Sequence, residues 1–146
     1  MAHDHGLYLI AKLAQGVTEE QVLEALNPII GMVSDYEYAI SDGNFMFESS
    51  GDVSDSIHNA INAASEKLGP LTSLAGEIVF CDHDTPDLEN AIRRVIFGPS
   101  KEAIDAFTAR RDVLAALALM APHLPEEDLD KIRDIIAQGV PGLKSP

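Results

Sequence analysis

Basic side chains are scarce in this sequence. Lys and Arg number 10 against 24 Asp and Glu, which leaves a net charge of −14. A field of that sign repels nucleic-acid phosphates and anionic lipid and attracts basic protein surfaces. The deficit is uneven. Residues 1–80 carry 12 acids and 2 bases, a net −10, whereas residues 81–146 carry 12 acids and 8 bases, a net −4. Cysteine is nearly absent, and the single Cys81 excludes an intrachain disulfide. No apolar run approaches the ~20 residues of a membrane span. No basic segment followed by an apolar one opens the chain, so a cytoplasmic location is the expectation. Nucleotide-loop, dinucleotide, nucleophile-elbow and zincin motifs are all missing, which leaves an enzymatic reading without a positive motif.

What remains suits a globular chain. Hydrophobic residues make up 46% of 146. A chain of this length buries about two-thirds of its unfolded surface, enough for a core without metal or disulfide staples.

Hydrophobic periodicity gives the order of elements. Residues 7–13 (LYLIAKL) are apolar on both alternating faces and read as a central strand. Thr18 and Gln21 form a capping box that opens a helix with Val22, Leu26, Ile29 and Ile30 inside. Pro28 is expected to end or kink it. Asp42-Gly43 is a two-residue hairpin turn that pairs Ile40 with Phe45 and Tyr38 with Phe47. Residues 52–68 follow helical spacing, capped by Asp52 or Ser54, and Gly69-Pro70 stops the run. Residues 77–81 (EIVFC) are a short apolar strand. This βαββαβ order resembles the ferredoxin-like split unit in topology, which implies an α+β fold with an antiparallel-containing four-stranded sheet ordered 4-1-3-2 and a C-terminal helical extension.

The last third reads as helical: 85–96 behind Thr85-Pro86, then a helix from Ser100, then one from Glu126 closed by Gly139-Val140. The expected organisation is an acidic module over 1–82 with helices of 83–146 packed on the same domain. Residues 113–121 (VLAALALMA) have no polar face, so Ile104, Phe107, Leu114 and Leu117 are expected in a homodimer interface.

Four constellations bear on function. His3-Asp4-His5 precedes the first strand and Cys81-Asp82-His83-Asp84 follows the fourth, and antiparallel pairing brings them to one corner. Imidazole with carboxylate suits a divalent metal, with His3, His5, Asp82 and His83 as candidate ligands. Strand parity puts His3, His5, Asp82 and Asp84 on one face, and Asp4, Cys81 and His83 on the other. Cys81 and His83, two apart, form a conceivable thiol–imidazole pair. Arg93-Arg94 and Arg110-Arg111 are expected in internal salt bridges rather than on nucleic acid. Glu37 and Glu48 lie beside each other on the hairpin and are candidate contacts for a basic protein partner. The leading expectation is a non-enzymatic binding, regulatory or inhibitory protein without a cofactor. The alternative is a metal- or small-ligand-dependent enzyme at the His3/His5/Asp82/His83 corner.

Overall fold

The computed structural model describes residues 2–85 and 91–137. It divides into two compact units, Met1–Ser100 and Lys101–Pro146. The first contains β1 (Ala2–Lys12), α1 (Glu19–Ile30), β2 (Asp35–Ser41), β3 (Asn44–Ser54), α2 (Ile57–Leu68), a 3-10 turn (Gly69–Leu71), β4 (Gly76–Asp82) and β5 (Ile92–Phe97). The second contains α3 (Lys101–Met120), a 3-10 turn (Ala121–His123) and α4 (Glu126–Ala137).

The fold is α+β, with one antiparallel sheet ordered β2-β3-β1-β4-β5. The neighbours expected for the first four strands are those observed, but the sheet has five strands. Its fifth strand corrects the expectation of a helix over 85–96. Ile92, Val95 and Ile96 follow helical spacing, but as a strand Ile92 and Ile96 share one face and Val95 and Phe97 the other, and β-branched residues favour the extended form. Pairing with β4 (Ile78 opposite Val95, Gly76 opposite Phe97) satisfies a backbone edge and buries Phe97. Residues 86–90 of that expected helix, and the Gly139-Val140 cap, lie outside the described residues.

Two boundaries also move. β1 starts at Ala2, so the histidines expected before the strand lie within it. Its extra length draws β3 out to Ser54, with Ala2 opposite Ser54. Val53 is therefore a buried strand residue and α2 begins only at Ile57, with Ser56 as N-cap and no side-chain cap bond. α1 likewise runs through Pro28 to Ile30. Proline costs one backbone bond in the last turn, and the burial of Ile29 holds that turn in place.

The expected capping box is present. Thr18 Oγ1 accepts from the Gln21 backbone N–H at 3.2 Å, and the Thr18 N–H donates to Gln21 Oε1 at 2.9 Å. At the hairpin, Asp42 (φ 51°) and Gly43 (φ 78°) both take the positive φ that a type I′ turn requires. Tyr38 then faces Phe47 and Ile40 faces Phe45.

The core lies between one face of the sheet and helices α1 and α2. Leu7, Leu9, Phe45, Phe47, Ile78 and Phe97 meet Val22, Leu26 and Ile29 of α1 and Ile57, Ile61 and Leu68 of α2. The other face keeps Tyr8 (42% exposed) and Ile10 (52%) open to solvent. In the second unit α3 buries none of its side chains. Leu114, Leu119 and Met120 are exposed, and Ile104, Phe107 and Leu117 are half-buried.

Candidate functional site

β1 pairs with both β3 and β4, so its period-2 alternation sorts the polar residues of the chain onto two faces. On the helix-covered face His5 stands opposite Gly51 and Asp82. Its ring is fully buried. Nδ1 lies 2.5 Å from the Gly51 carbonyl oxygen, which only accepts, so Nδ1 carries the proton. Nε2 lies 2.9 Å from Ser49 Oγ and hydrogen-bonds to that hydroxyl. The ring also stacks on Phe80 at 5.7 Å. Both nitrogens are thereby committed to the protein.

His3, on the same face, places Nε2 2.9 Å from Asp55 Oδ1 and Nδ1 3.6 Å from Asp82 Oδ2. Ligand atoms of His3, Asp82 and Asp84 all lie within 4.8 Å of one another. The Thr85 hydroxyl donates to Asp82 Oδ2 at 2.8 Å and the Asp84 backbone N–H to Oδ1 at 3.0 Å. The Thr85 bond is the main reason the Asp82 carboxyl sits below its ordinary value; partial burial opposes it, and the Asp84 N–H, His3 and His58 add to it.

His83 takes the opposite face, where its Nδ1 meets Asp4 Oδ2 at 3.1 Å. The corner thus brings His3, Asp82 and Asp84 together, buries His5 in a separate role, and turns His83 away. The expected division of parity holds across β1 and β4. Arg93 donates to the His58 ring and carbonyl, each at 3.2 Å, and to Asn62 Oδ1 at 2.6 Å. Arg94 pairs with Glu77 at 2.7 Å.

The uncovered face holds a groove of about 530 Å³, and its register gives it two rows. In one, Asp35, Ser50, Gly6, Cys81 and Ile92 succeed one another across the sheet. In the next come Glu37, Glu48, Tyr8 and Val79, and beyond the groove the row ends at Arg94, which pairs with Glu77. Gly6 offers no side chain, so the first row sinks at its centre and exposes backbone as a floor. A Cβ there would stand 3.2 Å from His83 Nε2. Asp35, Glu37 and Glu48 line the groove, and no Lys or Arg does among the described residues. Cys81 is a free, half-buried thiol in the same lining.

On the helix side of β2, the Tyr38 hydroxyl bonds the Glu19 carboxylate at the start of α1. That bond, with the adjacent charge, raises the phenol above its ordinary value. Tyr36 stacks on Phe47 at 5.7 Å. Both contacts tie the acidic edge strand to the core.

The candidate acids Glu37 and Glu48 were legible because the hairpin turn sets their register. The groove floor was not, although an isolated glycine inside a strand is a recognised sign of close approach at that point. Comparison of the chain with protein-family models, with curated proteins and with solved structures finds no match.

Proposed function

We propose that this chain is a non-enzymatic binding protein whose uncovered sheet face takes a basic segment of a protein partner. The observation that carries the reading is the groove, where three carboxylates and an exposed tyrosine line a concavity that holds no lysine or arginine among the described residues. Glu37 and Glu48 stand directly opposite each other, an arrangement that costs stability and that a bound cation relieves. The five-stranded sheet suits this use, since α1 and α2 pack on one of its faces and Tyr8 and Ile10 on the other are exposed. No helix among the described residues is long and apolar enough to cross a membrane. A cytoplasmic regulator or inhibitor agrees with the single cysteine and the acidic balance. The exposed apolar side chains of α3 support a homodimer formed through that helix.

The test is association with a basic peptide at several salt concentrations. Binding should be fast and should weaken steeply as salt rises, and Glu37→Gln with Glu48→Gln should slow association. Salt-independent binding rejects the electrostatic reading.

A second reading, a divalent-metal site, is favoured by the approach of His3, Asp82 and Asp84 within 4.8 Å. Metal analysis of untagged protein, wild type against His3→Ala, separates it from the first.

A further inference from the structure

We infer that the groove is an arginine subsite, so that the basic partner is recognised through a guanidinium group seated over Gly6 and Tyr8 between Glu37 and Glu48. The inference rests on the proposed binding function and specifies its ligand.

Three observations lead to arginine. First, the acids form a matched pair. Glu37 and Glu48 are exposed register partners, so their Cβ atoms stand about 4.5–5.5 Å apart on one face. Two carboxylates at that spacing present acceptors to both edges of a planar fork, whereas an ammonium is a compact, strongly hydrated point charge. Second, the next member of the same row is Tyr8, 42% exposed and directly opposite Glu48. A guanidinium held by Glu48 therefore lies within reach of an aromatic face, and arginine uses such faces more than lysine does. Third, the glycine makes room. Gly6 lines the groove, and a side chain there would press on the His83 ring, 3.2 Å from its Cβ, and take up space on the floor. Of the basic groups in the sheet, Arg94 holds Glu77 and Arg93 holds His58 and Asn62, while Lys12 lies at the far end of β1, opposite Asn44 and outside the groove lining.

Charge also selects the occupant. A second copy of a chain carrying −14 would set like charges against this acidic lining, so a cationic segment of another protein is the complementary occupant.

The experiment compares two glycine-spaced peptides of equal length and charge, one with three arginines and one with three lysines, by calorimetry at low salt. The full chain is used as wild type, Glu48→Gln and Gly6→Val. Valine suits a strand, and the His83 ring it would meet is half-exposed, so the variant should fold; a thermal melt checks this, and Gly6→Ala serves if it does not. The arginine peptide should bind about tenfold tighter than the lysine peptide, and both Glu48→Gln and Gly6→Val should erase most of that gap. Equal, salt-sensitive binding of the two peptides that Gly6→Val leaves unchanged overturns the arginine subsite and keeps the binding function. An arginine preference that survives both substitutions places the readout elsewhere and also overturns the subsite. No binding of either peptide overturns both.

Discussion

At the scale of single residues, the chain spends stability on its surface. Opposed carboxylates at Glu37 and Glu48 repel, and turning the pair into an attraction should strengthen the hairpin. Glu48→Lys is expected to raise unfolding stability by about 0.2–1 kcal/mol, read from urea denaturation, while it abolishes binding of a basic peptide. A gain in stability together with loss of binding is the signature of a functional acid. Asp82 behaves differently. Its carboxyl lies below the ordinary value chiefly because the Thr85 hydroxyl bonds the ionised form. A group whose folded value is depressed stabilises the protein above its unfolded value, and that contribution is lost as pH falls through the folded one. Thr85→Val should therefore lower the urea midpoint near neutral pH, with the gap to wild type narrowing as pH falls below the ordinary aspartate range. A gap that stays constant with pH would show that Thr85 acts only through packing.

Among the elements, α1 shows local rules and packing acting together. Its capping box closes as the sequence implies, and its buried stripe carries it through Pro28. Thr18→Ala should cost about 1 kcal/mol in chemical denaturation, and Thr18→Ser should restore most of it. β5 shows the opposite balance. Its apolar residues follow helical spacing but also serve both faces of a strand, and an available partner edge on β4 settles the choice. The same partner effect lengthens β1 and β3: each extends because the other does, residue by residue from Ala2–Ser54 to Lys12–Asn44. Such mutual extension turns a polar HDH segment, which no propensity scale favours, into strand.

At the scale of the whole chain, each unit carries exposed apolar side chains among its described residues: Tyr8 and Ile10 on the sheet of the first, and the apolar side of α3 in the second. Leu119 is 79% exposed, and Val113, Leu114 and Met120 are exposed beside it. Burying such a surface against a second chain is favourable in proportion to its apolar area. Light scattering at micromolar concentration should give the mass of two chains, and Leu117→Asp should give soluble single chains, at a loss of about 2–5 kcal/mol in association. A wild-type mass of one chain would remove the dimer, and an unfolded variant would assign Leu117 to a core instead.

Local chemistry was legible from residue order. The capping box, the Asp42-Gly43 turn and the alternation of β1 depend on neighbours within a few positions, so their geometry follows from the chain alone. The hairpin register then set Glu37 against Glu48, and parity set His3 and Asp82 on a different face from His83. Pairings between distant segments were not legible in this way. His5 looked like a ligand until Ser49 and Gly51, more than forty positions away, took both ring nitrogens. Gly6 lay outside the expected strand, and only its pairing with Ser50 and Cys81 makes it part of the floor of a groove. Residues 92–97 became strand because β4 had an edge to fill. In each case the deciding energy is a hydrogen bond or a buried contact whose partner lies far along the chain, and only folding brings that partner within reach.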